Sequence, residues 1–168
     1  LTGNDLLTNV VLRDNPQLTS LVASSGGMDS VDLRGSGSTN NNFYQINISN
    51  SRLSHLQIAD SLYISYLYLY NNNLTTVNFA NTYSAWELQL AENQISFADF
   101  SNIDIQLELS ISDNPLDSAL NISSCSNLQK LYLYNTNLKH LDLSGNNNLY
   151  SSYLIDNDSL ESIDYRNK

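Results

Sequence analysis

Apolar residues stand in pairs separated by a single residue, and the pairs recur every ten or eleven residues along the whole chain. The series opens with Val10/Leu12, Leu21/Ala23, Val31/Leu33, Ile46/Ile48, Leu56/Ile58, Leu67/Leu69, Val77/Phe79 and Leu88/Leu90. It continues through Ala98/Phe100, Leu109/Ile111, Leu120/Ile122, Leu131/Leu133, Leu141/Leu143, Ser152/Leu154 and Ile163/Tyr165. An in-out-in alternation over three to five positions marks a short half-buried strand, and the Asn, Ser, Gly and Asp residues between the pairs are turn formers. No window shows the 3.6-residue period of an amphipathic helix, so almost no helix is expected.

Two half-periods make one coil. LYLYNNNL, Leu67 to Leu74, returns almost letter for letter as LYLYNTNL, Leu131 to Leu138, and the steps between carry Leu88, Leu90, Asn93, Ile95 and Leu109, Ile111, Asn114, Leu116. Self-similarity at a period of about twenty-one residues is the signature of a solenoid. The one long interval, Leu33 to Ile48, has its surplus in GSGSTNNN, residues 35–42. That stretch is expected to leave the repeat as an irregular, mobile loop.

These positions resemble the leucine-rich repeat, LxxLxLxxNxL, seen as Ile64, Leu67, Leu69, Asn72 and Leu74 and again as Leu128, Leu131, Leu133, Thr136 and Leu138. The spacing is similar to the twenty-one-residue bacterial subclass called IRREKO, in which the signature is nested twice in each coil, and LDLSGNNNL (Leu141 to Leu149) looks like the second half of a bacterial repeat. The match departs at residues 35–42, at Ile103 and at Gln106. The resemblance implies an all-β fold, a flattened right-handed solenoid of about seven coils with two short parallel β-sheets back to back, forming one domain over residues 1–168. At about 4.8 Å per strand the rod would be about 35 Å long.

Composition fits this picture. Leu supplies 28 residues and Asn and Ser 25 each, in a chain of 168 that is 41% hydrophobic, as expected for an aliphatic core with many tight corners. Acids outnumber bases 17 to 7, a net charge of −10 that argues against nucleic acid, whose phosphates are held mainly by Lys and Arg. No apolar run is long enough for a transmembrane segment. Leu1 is not an initiating methionine and neither end looks like a solenoid cap, so the chain is expected to be cut from a longer one.

Asn72, Asn93, Asn114 and Asn157, with Ser51 and Thr136 in the same column, fall three residues after the second apolar position. Their amides are expected to satisfy backbone groups at a buried corner. Cys125, the lone cysteine, reads as a buried free thiol. On the second sheet Asp32, Asp99, Asp142 and Asp164 share an outward column with amides, which reads as a solvated face. His55 and His140 lie four coils apart, and no metal, cofactor or catalytic motif is present. Four N-x-Ser/Thr sequons, at Asn47, Asn73, Asn121 and Asn157, are expected by chance in such a composition.

The chemistry that remains is on the first sheet. Outward columns there run Gln45, Tyr66, Glu87, Glu108, Lys130, Ser151, then Asn47, Tyr68, Gln89, Ser110, Tyr132, Tyr153, then Ser49, Tyr70, Ala91, Ser112, Tyr134, Ile155. Tyr66, Tyr68 and Tyr70 on one side and Tyr132, Tyr134 and Tyr153 on the other would flank Glu87, Gln89 and Glu108. Tyr68 and Tyr132 would stand about 14 Å apart. Clustered tyrosine offers contact area with a hydroxyl; it is also simply a good strand former whose rings stack. The expected function is a non-catalytic adhesion or recognition module binding protein or polysaccharide, and the alternative is a structural spacer of a larger surface protein. The resemblance implies an extracellular or cell-surface location, with end-to-end or sheet-face self-association as a further contact.

Overall fold

The computed structural model describes residues 1–37, 42–58, 62–79, 82–117 and 120–166. Half of the expected loop at 35–42, residues 38–41, therefore lies outside the described residues. Fifteen strands are found in these segments, and no helix. The first five are β1 (Asn9–Val11), β2 (Ser20–Val22), β3 (Ser30–Asp32), β4 (Asn42–Asn47) and β5 (His55–Gln57). Next come β6 (Leu62–Tyr68), β7 (Thr76–Asn78), β8 (Thr82–Gln89), β9 (Phe97–Asp99) and β10 (Asp104–Ser110). The last are β11 (Leu120–Asn121), β12 (Lys130–Tyr132), β13 (His140–Asp142), β14 (Ser151–Tyr153) and β15 (Ser162–Asp164).

Successive strands alternate between two faces, and every pairing is parallel and skips one strand, as a solenoid of about seven turns requires. The even-numbered strands make one continuous sheet in the order β14-β12-β10-β8-β6-β4-β2. Among the described residues the odd-numbered strands do not make one sheet. They fall into three pieces, β1-β3-β5, β7-β9-β11 and β13-β15. Where β5 and β7 part, a cavity of about 230 Å³ opens over Leu56, Ile58, Leu74, Val77 and Phe79.

The apolar pairs face inward except in the last coil, where Ile163 and Tyr165 are exposed. Ile46, Ile48, Leu67, Leu88, Leu90, Phe100, Leu109, Ile111, Leu131 and Leu133 are among the residues with no exposed surface, and they stack along the solenoid as a single core. The corner that follows the continuous sheet is closed by the asparagine column. Asn93 Nδ2 donates to the carbonyls of Leu69 (3.0 Å), Leu90 (3.0 Å) and Ala91 (3.1 Å), while its Oδ1 accepts from Leu74 N–H (3.0 Å). Asn72 and Asn114 repeat the arrangement one coil away on either side. Each side chain bonds its own coil and the preceding one, so backbone groups that a tight corner would strand in the core are paired. Asn157 continues the column against Thr136.

The residue just before each column position has left-handed backbone. Asn50, Asn71, Glu92, Asp113, Asn135 and Asp156 have φ between 49° and 57°, a conformation that Asn and Asp tolerate better than other side chains do. Asn at these sites also bridges coils, Asn71 to Asn50 and Asn135 to Asp113, each at 2.9 Å.

The aspartates of the second face have a local task. Asp99 Oδ1 accepts from Ser101 N–H at 2.9 Å, Asp142 from Ser144 at 2.8 Å and Asp164 from Arg166 at 2.9 Å, so each caps the turn that follows its strand. Cys125 is fully buried, and its thiol donates to the carbonyl of Ile103. Burial pushes that thiol up to about 11.

Candidate recognition face

The register of the continuous sheet fixes the outward columns. Tyr66 pairs with Glu87, Glu87 with Glu108 and Glu108 with Lys130. Tyr68 pairs with Gln89, Gln89 with Ser110, Ser110 with Tyr132 and Tyr132 with Tyr153. All of these side chains therefore share one side of one sheet, because their in-sequence neighbours Leu67, Leu88, Leu109 and Leu131 point into the core.

Two aromatic clusters result. In the first, Tyr66 meets Tyr44 edge-on at 5.4 Å and Tyr68 at 6.0 Å. In the second, Tyr132 and Tyr153 stack at 4.7 Å with their planes 5° apart, and Tyr134 meets both, at 6.2 and 6.3 Å. Such ring pairs each add stability beyond the area they bury. Tyr70 is half-buried at the end of the first cluster.

A polar strip crosses the sheet between the clusters. The Tyr68 hydroxyl donates to Glu87 Oε2 at 2.9 Å, Gln89 Nε2 donates to Glu108 Oε1 at 2.7 Å, and Lys130 Nζ lies 3.9 Å from Glu108 Oε2. Burial and then the Glu87 carboxylate push the Tyr68 phenol well above the usual tyrosine range, and burial with Glu108 nearby raises Tyr132. Both phenols thus stay neutral donors at physiological pH.

The sequence reading stops one row short. The even-numbered strands of the middle coils are six to eight residues long, so the sheet extends past the 45–66–87 column. Tyr44 is 62% exposed, Tyr63 49% and Trp86 44%. The signal was present in Phe43-x-x-Ile46, Ile64-x-x-Leu67 and Ala85-x-x-Leu88, which align Tyr44, Ser65 and Trp86 just ahead of the column. The remaining candidates stay apart. His55 bonds Ser54 and His140 bonds Ser162, each within its own region. Among the described residues no group of three or more His, Cys, Asp or Glu side chains could hold a metal, and no helix is long and apolar enough to cross a membrane.

No family model matches the chain, and no curated protein is similar to it in sequence. Among solved structures it is similar to the functional domain of InlJ from Listeria monocytogenes, which includes a cysteine ladder. The TM-score is 0.37 and the identity 16%, over 89% of this chain and 51% of that one. The chain thus spans about half the length of that structure.

Proposed function

We propose that this is a non-catalytic recognition module of the adhesion type, acting at the cell surface or outside the cell, that takes a protein or a polysaccharide on the tyrosine-bearing face. The observation that supports it is the gathering of Tyr66, Tyr68 and Tyr70, and of Tyr132, Tyr134 and Tyr153, into two clusters on one side of one sheet. Glu87, Gln89 and Glu108 lie between them as acceptors and donors for a ligand. The two carboxylates are held by Tyr68 and Gln89 on an open sheet, an arrangement suited to binding rather than to acid and base catalysis, where one carboxyl would need apolar burial.

The test is a glycan array together with pull-down from host-surface and biofilm material, comparing the parent with Tyr68→Ser, Tyr70→Ser, Tyr132→Ser and Tyr134→Ser combined. Loss of capture with the far-ultraviolet circular dichroism and melting retained is expected. Capture that survives the four substitutions overturns the reading. The second reading, a spacer, draws on the ring pairs themselves: Tyr132 stacked on Tyr153 is also a stabilising ladder. It predicts that the four substitutions lower the melting temperature while nothing is captured by the parent.

A further inference from the structure

We infer that the ligand is a cationic hexosamine polymer lying across β4, β6 and β8, with its sugar rings on Tyr44 and Trp86 and its ammonium groups at Glu87. This rests on the reading of the tyrosine face as a recognition surface and adds to it a chemical class and a subsite.

The middle strands carry the argument. Phe43 pairs with Ile64 and Ile64 with Ala85, while Gln45 pairs with Tyr66 and Tyr66 with Glu87. Tyr44, Ser65 and Trp86 therefore stand side by side, with the two aromatics two strands apart, about 9.6 Å, the scale of a disaccharide step. Ser65 between them leaves room above the sheet. The chain's only tryptophan stands there on β8 with nearly half of its surface in water. Trp86 thus offers a large apolar plane, and Tyr44 is held edge-on by Tyr66 at 5.4 Å before any ligand arrives, which lowers the entropy lost on binding.

The side chains around these planes select for sugar over protein. A protein interface gathers aliphatic and aromatic anchors into a core that is fully dried. The outward positions along these rows are instead Tyr44, Gln45 and Asn47 on β4, Ser65, Tyr66 and Tyr68 on β6, and Trp86, Glu87 and Gln89 on β8. None is aliphatic. Rings alternating with hydroxyls, amides and a carboxylate match the alternation of C–H faces and hydroxyls on a pyranose chain.

Charge decides which sugar. Lys130 reaches Glu108, but no ion pair among the described residues involves Glu87. The chain as a whole carries −10. A uronate or sulfated polymer would be repelled, a neutral one would leave Glu87 uncompensated, and an ammonium beside the stacked ring complements it.

The experiment is calorimetric titration at about pH 6, where carboxylates and hexosamine ammonium groups are both charged, with a β-1,4-glucosamine hexamer, its fully N-acetylated form, cellohexaose and a polygalacturonate oligomer. The glucosamine hexamer is expected to bind tightest and to weaken with added salt. Trp86→Ala and Glu87→Gln should each weaken it about tenfold, Trp86→Phe should retain most of the affinity, and Phe97→Ala on the second face should change nothing. Far-ultraviolet melting of each variant confirms that it is folded. No binding of the glucosamine hexamer, equal binding of cellohexaose, or unchanged affinity in folded Trp86→Ala overturns the inference. If a protein or another glycan is captured and then lost in the combined Tyr68, Tyr70, Tyr132 and Tyr134 variant, the inference falls while the broader reading stands. If the hexamer binds equally well to that variant and to Trp86→Ala, both fall.

Discussion

The same half-repeat is used twice in each coil, yet its two corners behave differently. At the corner leaving the continuous sheet, amides at 72, 93 and 114 bond successive coils without interruption. At the opposite corner the equivalent positions hold Asn15, Ser36, Ile103, Cys125 and Asn146, an uneven set. Asn15, Cys125 and Asn146 each lie at a turn closed by Leu18, Leu128 or Leu149 N–H, and the strand that follows is three residues long, as in β2, β12 and β14, whereas Ser36 precedes the six-residue β4. After Ile103 the chain instead runs into the seven-residue β10. The same number of residues separates Leu12 from Leu21, Phe100 from Leu109 and Ile122 from Leu131, so length does not decide between turn and strand. At Asn15 a corner amide gives the backbone local partners and at Asn146 it bonds the preceding coil, Cys125 makes its turn without one, and in the long strands the backbone finds its partners in the neighbouring strands. The aromatic extension at Tyr44, Tyr63 and Trp86 lies on these lengthened strands.

The sharpest way to break this contrast is to remove one amide from each corner. Asn93→Ala strands Leu74 N–H and takes a donor from three carbonyls in a site with almost no water, so a loss of about 3 kcal/mol is expected, read as a lower urea midpoint at constant slope. Asn146→Ala at the opposite corner takes a donor from only two carbonyls, those of Ile122 and Cys125, and strands no N–H, so it should cost less, about 1–2 kcal/mol. Equal losses would mean that the two corners do equivalent work and that the difference between the faces has another source.

Much of this architecture is legible in the chain itself. The apolar pairs give the parallel solenoid, the number of coils and the outward columns, because a period of two within strands and of about twenty-one between coils leaves little freedom. The asparagine column is legible for the same reason: only a side chain with donor and acceptor together can close such a corner. What the pattern hides is how strands share residues with corners. Asn102 and Thr82 stand at corner positions, yet Asp104 begins β10 and Thr82 itself begins β8, since pairing with neighbouring coils overrides local preference. Trp86 was missed on that account. The division of the second face into three sheets was hidden too, because strands of two or three residues give few ladder bonds.

A second contrast lies in how the two faces use carboxylates, and acid separates them. Asp32 is gripped by Arg34 at 2.8 Å and Arg13 at 2.5 Å, and these two guanidiniums hold it far below its ordinary 3.8. Arg166 similarly holds Asp164 down to about 2. A carboxyl whose folded value is depressed contributes stability that is present above its unfolded value and is withdrawn as pH falls toward the folded one. Stability should therefore drop as pH falls below about 4, and Asp32→Asn should flatten that acid limb while leaving two arginines unpaired near pH 7. Urea midpoints measured from pH 6 to pH 3 on both proteins check this. Parallel acid limbs would show that the ion pair contributes nothing through its charge.

The smallest expected effect lies on the corner that is otherwise most regular. In the left-handed column Ser25 and Glu92 depart from the pattern of Asn50, Asn71, Asp113, Asn135 and Asp156; Glu92 has φ of 55° and stands between the links made at Asn71 and Asn135. Glu92→Asn relieves the backbone conformation, places an amide between Asn71 and Asp113 and removes one negative charge from an acidic edge. A gain of about 0.5–1 kcal/mol is expected, a rise of a few degrees in melting temperature for a domain of this size. Glu92→Ala separates the contributions: it shares the charge removal but neither the tolerated backbone nor the amide, so it should gain less than Glu92→Asn. If alanine gains as much as asparagine, relief of acidic repulsion along the corner, and not its backbone geometry, is what the substitution reports.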